Sequence, residues 1–334
     1  MNILLEARDL SIDFRTYGGL VQAVRGVSFS VKQGQTVGIV GESGCGKSVT
    51  AKSIMKLLPQ PPAIYRSGSI VFQGNNLFSA TEREMERIRG RDISMIFQDP
   101  MTSLNPSAKV GNQIMEVILK HQKMSRKDAY ERAMQMLVKV GIPQAEKRMK
   151  QYPFEFSGGM RQRAMIAMAL ACKPKLIIAD EPTTALDVTI QAQILELMKE
   201  IQEESNTSIV LITHDLGVVA EMCDYVVVMY AGKIVETGTV QEIFQKPVHP
   251  YTQGLLNSVP RLNMDRTVPL VPIIGSPPDL FSPPKGCSFY SRCSQAMRIC
   301  KDYDPELEKV GDNRTSACWL NHPMAKARKP IIKS

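Results

Sequence analysis

Residues 41–48 read Gly-Glu-Ser-Gly-Cys-Gly-Lys-Ser, and the spacing G-x-x-x-x-G-K-[ST] is that of a loop that wraps a phosphate. Gly41, Gly44 and Gly46 let the backbone curl until successive N–H groups face one anion. The positive end of a following helix adds to that field. Lys47 would reach the β- and γ-phosphates, and the Ser48 hydroxyl would sit on Mg²⁺. Further along, Asp180 and Glu181 follow the apolar run Leu176–Ala179. A strand that delivers one carboxylate to the rim of such a loop holds Mg²⁺ there, usually through a water, and a second acid beside it can polarise the attacking water. Paired acids after a strand can also be a solvated turn; beside a phosphate loop the catalytic reading is the stronger one. Gln98 closes "MIFQ" and His214 closes "SIVLITH", both at carboxyl ends of strands, where parallel sheets bind their ligands. An edge histidine with a merely structural partner is the alternative for His214. Ser157-Gly158-Gly159 directly precede a strongly helical run, which offers a second helix N-terminus to an anion. One chain needs one phosphate loop, so this second site makes sense as a cap on the phosphate held by another copy.

The elements that must position these residues are readable around them. Thr36–Val40 is a short apolar run of strand type, and residues 49–58 carry apolar groups at helical spacing up to Pro59, which gives the strand–loop–helix order the phosphate loop requires. Residues 3–40 alternate apolar and polar with glycines between, as a small antiparallel sheet does. "GSIVFQG" and "DISMIFQ" add strands around the charged helical patch "ATEREMERIRGR". From Val110 to Val140 the spacing predicts mostly helices. "KLIIAD" and "SIVLITH" are strands separated by the helix "DVTIQAQILELMKEIQEE", and "YVVVMYAGKIVETG" reads as a third strand. Strands alternating with helices predict a parallel, helix-covered α/β sheet. The expected division is a nucleotide-binding domain over 1–245, with a helical subdomain near 100–165, and an extension over 246–334. The proline-rich run from "KPVHPYTQG" to "FSPPKG" in that extension excludes long regular elements.

Composition sets outer bounds. The chain has 334 residues, 43% of them hydrophobic and 22% charged, as in an ordinary folded protein with a sizeable core. It has no apolar run of about 18 residues or more, so no membrane span is expected. The N-terminal stretch carries acids early and does not read as a secretory signal, which points to a reducing, cytosolic setting. The formal net charge is +8 and the pI about 9.1. That fits an anionic ligand or membrane surface, and equally an ordinary basic surface; the Lys/Arg blocks of a nucleic-acid tail are absent.

Taken in order, these residues resemble the ATP-binding subunits of ABC transporters. Walker A is Gly41–Ser48, the Q-loop is Gln98, the signature is Ser157-Gly158-Gly159, Walker B is Leu176–Asp180 followed by Glu181, the D-loop is Ala185-Leu186-Asp187, and the switch histidine is His214. "QDPMTSLNP", "HPYTQGLLNSVP" and "GSPPDL" are similar to the oligopeptide, dipeptide and nickel importer branch. Two positions depart from the usual signature: Phe156 stands for Leu and Met160 for Gln. The resemblance implies a P-loop NTPase core with an N-terminal antiparallel subdomain and a helical signature subdomain, in which two subunits close head-to-tail on two ATP molecules. ATP would be bound by Gly41, Ser43, Gly44, Cys45, Gly46, Lys47, Ser48 and Val49, with Ser157, Gly158 and Gly159 completing the site of the opposite subunit. Mg²⁺ would be held by Ser48, Gln98 and Asp180. Glu181, His214, Lys47 and Gln98 would carry the chemistry, and Tyr17, or alternatively Phe14, would stack on adenine. The implied partners are two transmembrane permease subunits, a second and related ATP-binding subunit, and an extracytoplasmic substrate-binding protein, with this chain on the cytoplasmic face of the membrane. Di- or oligopeptide is the expected cargo, with nickel as the alternative. A non-transport ABC ATPase is the other alternative, although such proteins tend to carry two cassettes or a long coiled coil.

Four of the seven cysteines fall within the extension, as Cys287, Cys293, Cys300 and Cys318. Disulfides are disfavoured in a reducing compartment, and a four-thiolate metal site would staple a segment that lacks a core of its own. Zinc sites favour C-x2–4-C pairs, which are missing here; wider spacings suit a [4Fe–4S] cluster. Some members of the importer branch carry similar tails with such a cluster, so a Cys-rich [4Fe–4S] extension is the expectation, with Zn²⁺ as the alternative.

Overall fold

The computed structural model describes residues 2–99, 103–183, 187–258 and 272–326. The chain begins with a long hairpin, β1 (Ile3–Thr16) and β2 (Gly19–Lys32), and continues through β3 (Thr36–Val40), α1 (Lys47–Ile54), β4 (Ala63–Phe72) and β5 (Asn75–Asn76). α2 (Glu82–Ile88) and β6 (Ile93–Ile96) lead to α3 (Val110–His121), α4 (Arg126–Lys139), α5 (Ala145–Met149) and α6 (Gly158–Leu170). Then come β7 (Leu176–Asp180), α7 (Val188–Ser205), β8 (Ser208–Ile212), α8 (Leu216–Met222), β9 (Tyr225–Tyr230) and β10 (Lys233–Thr239). The last part holds α9 (Val240–Gln245), α10 (Pro250–Asn257), α11 (Ile299–Asp302), β11 (Glu308–Gly311) and β12 (Arg314–Ser316).

Two sheets form. The smaller is antiparallel in the order β2-β1-β4-β5, and the larger runs β11-β12-β10-β9-β3-β8-β7-β6. In the larger sheet β3 lies parallel between β9 and β8, and β7 lies parallel between β8 and β6. Every residue of β3, β7 and β8 is buried, because both faces are covered; hence these strands read as unbroken apolar runs. Val40, Ile177, Ala179 and Leu211 join one core with the helices α3, α4 and α6. Val37, Ile39, Ile178 and Val210 join the opposite core with the small sheet. The carboxyl ends of β3, β6, β7 and β8 therefore open on one side, and all the predicted catalytic residues follow those ends.

Two expectations change. The helix after the phosphate loop ends at Ile54 rather than near Leu58. The run 225–238 is two antiparallel strands, not one. Its turn is Ala231-Gly232, with φ of +48° and +79°, the geometry of a two-residue hairpin; Ala in place of the usual Asn hid the signal. In the extension, beyond the proline-rich run, β12 pairs with β10 and β11 with β12. These short polar strands, buried on one side at most, lack an apolar run to betray them.

Candidate active site

The phosphate loop is shaped by what leaves no room for a side chain. Gly41 has φ +151°, and a Cβ there would fall on the carbonyl oxygen of Met229. Gly46 has φ +97° and stands against the carbonyl of Ala23 as the N-cap of α1. Lys47 is buried, and its Nζ donates to the carbonyl oxygens of Gly41 at 2.8 Å and Glu42 at 2.9 Å. The ammonium thus lies over the loop, where a β- or γ-phosphate would offer it stronger acceptors. Ser43 and Gly44 are exposed at the crest, Cys45 is buried with its thiol pushed up by burial, and Val49 is half-buried on α1.

Ser48 Oγ donates to Asp180 Oδ1 at 2.8 Å, which ties the loop to the end of β7 in the place where Mg²⁺ coordination would fall. Burial raises the Asp180 pKa, and the Ser48 hydrogen bond opposes that rise. A divalent cation at this point would reverse the balance and hold the carboxylate ionised. Directly after Asp180, Glu181 takes the left-handed backbone, φ +48°, and its N–H donates to Ile212 O at 2.8 Å. That turn carries the carboxylate across to neighbouring strand ends. Gln98 Nε2 donates to Glu181 Oε2 at 2.8 Å, and His214 Nδ1 lies 3.3 Å from Glu181 Oε1. Gln98, Glu181 and His214, drawn from three strand ends, therefore meet at one carboxylate.

A model of the ABC transporter family matches residues 24–184, and one described as the oligopeptide/dipeptide transporter C-terminal region matches residues 235–300. The oligopeptide transport ATP-binding protein OppD of Bacillus subtilis is 59% identical over 327 residues, which is 98% of this chain and 91% of that protein. The dipeptide transport ATP-binding protein DppD of the same organism is 57% identical over 325 residues, 97% of each chain. The chain belongs to the ABC transporter family of ATP-binding subunits. Among solved structures, a dimeric bacterial ABC transporter cassette has a TM-score of 0.64 at 26% identity, covering 71% of this chain and 98% of that one. ATP hydrolysis is the activity of that family.

The signature residues of this ABC ATPase sit on the helical side. Ser157 is the N-cap of α6, its Oγ accepting from Met160 N–H at 3.3 Å. Ser157 and Gly158 are exposed. Phe156, the first departure from the usual signature, is buried in the helical core, and Met160, the second, packs against that core. Both substitutions thus turn inward. Gly159 lies against Ile190 of α7, where an added Cβ would stand 3.2 Å from Ile190 Cγ2. Asp187 caps α7, its Oδ1 accepting from Ile190 N–H at 2.9 Å; Ala185 and Leu186 lie outside the described residues. Tyr17 is fully exposed at the turn of the β1–β2 hairpin, and Phe14 packs into the core of the small sheet. Of the two, Tyr17 has its ring available for stacking.

Two contributors carry no motif of their own. Gln162, buried on α6, donates to the carbonyl of Pro182, and so ties the signature helix to the residue after Glu181. Tyr251 on α10 is fully buried, and its Oη accepts the N–H of Glu42 at 2.8 Å. A helical glutamine on an apolar face was the only available signal for the first. The second is a contact 209 residues apart in sequence.

The thiols of Cys287, Cys293, Cys300 and Cys318 are free and line one small cavity, together with His249, Phe289 and Trp319. Burial pushes Cys287 up to about 12 and Cys318 up to about 11, and raises Cys293. Among the described residues no group of three or more His, Cys, Asp or Glu side chains is arranged to hold a metal ion. Neither the expected cluster nor its Zn²⁺ alternative finds a preformed metal site among the described residues.

Proposed function

We propose that this chain is the ATP-hydrolysing, energy-coupling subunit of an importer for di- or oligopeptides. The observation that carries the chemistry is Glu181 held between Gln98 and His214, one residue beyond the Asp180–Ser48 pair. With ATP bound, Lys47 and Mg²⁺ on Ser48, Asp180 and Gln98 would neutralise phosphate charge. Glu181 would orient and polarise the attacking water, and His214 would hold the γ-phosphate region. Phosphoryl transfer asks for that combination of positioning and charge stabilisation. Ser157 and Gly158, exposed at the start of α6, would with Gly159 cap the ATP of a second subunit, a related heteromeric partner. The cargo follows from the OppD and DppD relatives and from the match over residues 235–300. Permease subunits and an extracytoplasmic substrate-binding protein complete the assembly, with this chain peripheral at the cytoplasmic face. Among the described residues no helix is long and apolar enough to cross a membrane.

The test is Glu181→Gln in the complete transporter. The variant is expected to bind ATP, lose hydrolysis by about a hundredfold or more, and abolish uptake of a labelled dipeptide. Retained turnover would remove Glu181 from the reaction, and uptake of nickel instead of peptide would reassign the cargo.

The tail cysteines are proposed to hold a [4Fe–4S] cluster through Cys287, Cys293, Cys300 and Cys318. What supports this is that the four thiols are free and line one cavity, at sequence spacings wider than those of zinc sites. Its role there would be to cross-link the extension. Anaerobic purification should give a brown protein with about four irons per chain, and a colourless, iron-free protein would refute the assignment.

A further inference from the structure

The extension reaches the phosphate loop with an arginine. Arg292, on the short helical turn Tyr290–Arg292, forms a two-pronged ion pair with Glu42, Nη1 to Oε2 at 2.7 Å and Nη2 to Oε1 at 3.0 Å. The remaining guanidinium contacts are also made, to Tyr230 Oη at 3.2 Å and to the carbonyls of Ile273 at 3.2 Å and Ile274 at 3.1 Å. The Arg292 side chain is 5% exposed and that of Glu42 25%. An arginine so fully bonded is fixed in place, and a planar fork on a carboxylate is the geometry that fixes it best.

Glu42 is an odd residue for its position. It lies inside a loop built to receive a polyanion, and its own carbonyl oxygen holds Lys47 Nζ, the cation meant for phosphate. Its carboxylate, left unpaired, would oppose the nucleotide. We propose that Arg292 is a positioning residue of the ATP site: from the C-terminal extension it neutralises Glu42 and clamps the phosphate loop, so that the extension sets nucleotide affinity. The inference rests on ATP binding at this loop and needs no metal at the cysteines.

Charge makes the proposal testable by sign. The native pair is neutral, Glu42→Gln leaves one positive charge beside the loop, Arg292→Gln leaves one negative charge, and the double variant is neutral again. Titration of each full-length protein with Mg²⁺ and AMP-PNP, read by calorimetry, should therefore give an ordered series. Glu42→Gln binds about threefold tighter than wild type, Arg292→Gln about tenfold weaker, and the double variant within about twofold of wild type. A contact that mattered only for packing would give the opposite pattern, with all three variants weaker than wild type and the double variant no better than Arg292→Gln. That result would overturn the proposal, as would an affinity for Arg292→Gln equal to wild type. If Arg292→Gln fails to fold, the comparison of Glu42→Gln with wild type still decides, because only the electrostatic role makes removal of the acid an improvement.

Discussion

Gly41 and Gly44 both bend the phosphate loop through positive φ, +151° and +78°, but a Cβ at Gly41 would overlap the Met229 carbonyl, while at Gly44 it would meet nothing within 4 Å. Gly44→Ala is therefore expected to cost only the left-handed backbone penalty, about 1 kcal/mol. Gly41→Ala adds a steric conflict with backbone that cannot move aside and is expected to cost about 3 kcal/mol or more and to abolish nucleotide binding. Urea denaturation together with an ATP titration separates the two, and equal losses would mean that the loop tolerates a shift of β9. At this scale the sequence was highly legible around the phosphate. The glycines, Lys47, Ser48, Gln98, Asp180, Glu181 and His214 were singled out by residue type at fixed spacing, and the fold brings the last five into contact in two groups, Ser48 with Asp180 and Gln98 with Glu181 and His214. Gln162, Tyr251 and Arg292 were not legible, because a glutamine, a tyrosine or an arginine has many uses and only a contact distant in sequence selects one.

The elements divide in the same way. Buried parallel strands declare themselves as apolar runs, as β3, β7 and β8 do, and α2 is announced by its capping box of Thr81 and Glu84. The β9–β10 hairpin was hidden by Ala231 in a glycine-like conformation, and β12 by its polar sequence. What holds β12 in place is not apolar contact but Glu236 of β10, which is fully buried. Its carboxylate accepts from the N–H groups of Val248 and His249, both at 3.0 Å, and from Arg314 of β12. Removing one partner of a buried ion pair leaves the other charge uncompensated, typically about 3–5 kcal/mol. Glu236→Leu and Arg314→Met should therefore each destabilise the chain by about that amount, and the double variant should recover much of the loss. Chemical denaturation of the wild type and these three variants checks this. A double variant as unstable as the sum of both single ones would show that the backbone N–H bonds, rather than the charge pair, carry the effect.

At the scale of the whole molecule, the described part of the extension is bound to the cassette at several separated places. The Gln22 N–H donates to Leu280 O at 2.9 Å while Phe281 lies against Gly18, so one contact is at the turn of the β1–β2 hairpin. Arg292 and Tyr251 hold Glu42 at the phosphate side. β12 extends the main sheet through β10. Packing follows the same route: Tyr251, Leu256 and Phe289 belong to the one buried cluster that also contains the helical segment and a face of the main sheet. Tyr230 of β9 stands 4.6 Å from Tyr251 and 5.3 Å from Phe289, centroid to centroid. Opening the extension would expose those rings, leave Glu236 and Glu42 without their arginines, and uncover the edge of β10, which is a template for aggregation. A segment with a separate core would melt separately, whereas shared burial makes unfolding cooperative. Differential scanning calorimetry of the nucleotide-free chain is accordingly expected to give one transition, with calorimetric and van't Hoff enthalpies in agreement. A distinct lower transition that left nucleotide binding intact would show that the extension is an appendage, and that its contacts with the phosphate loop carry no stability.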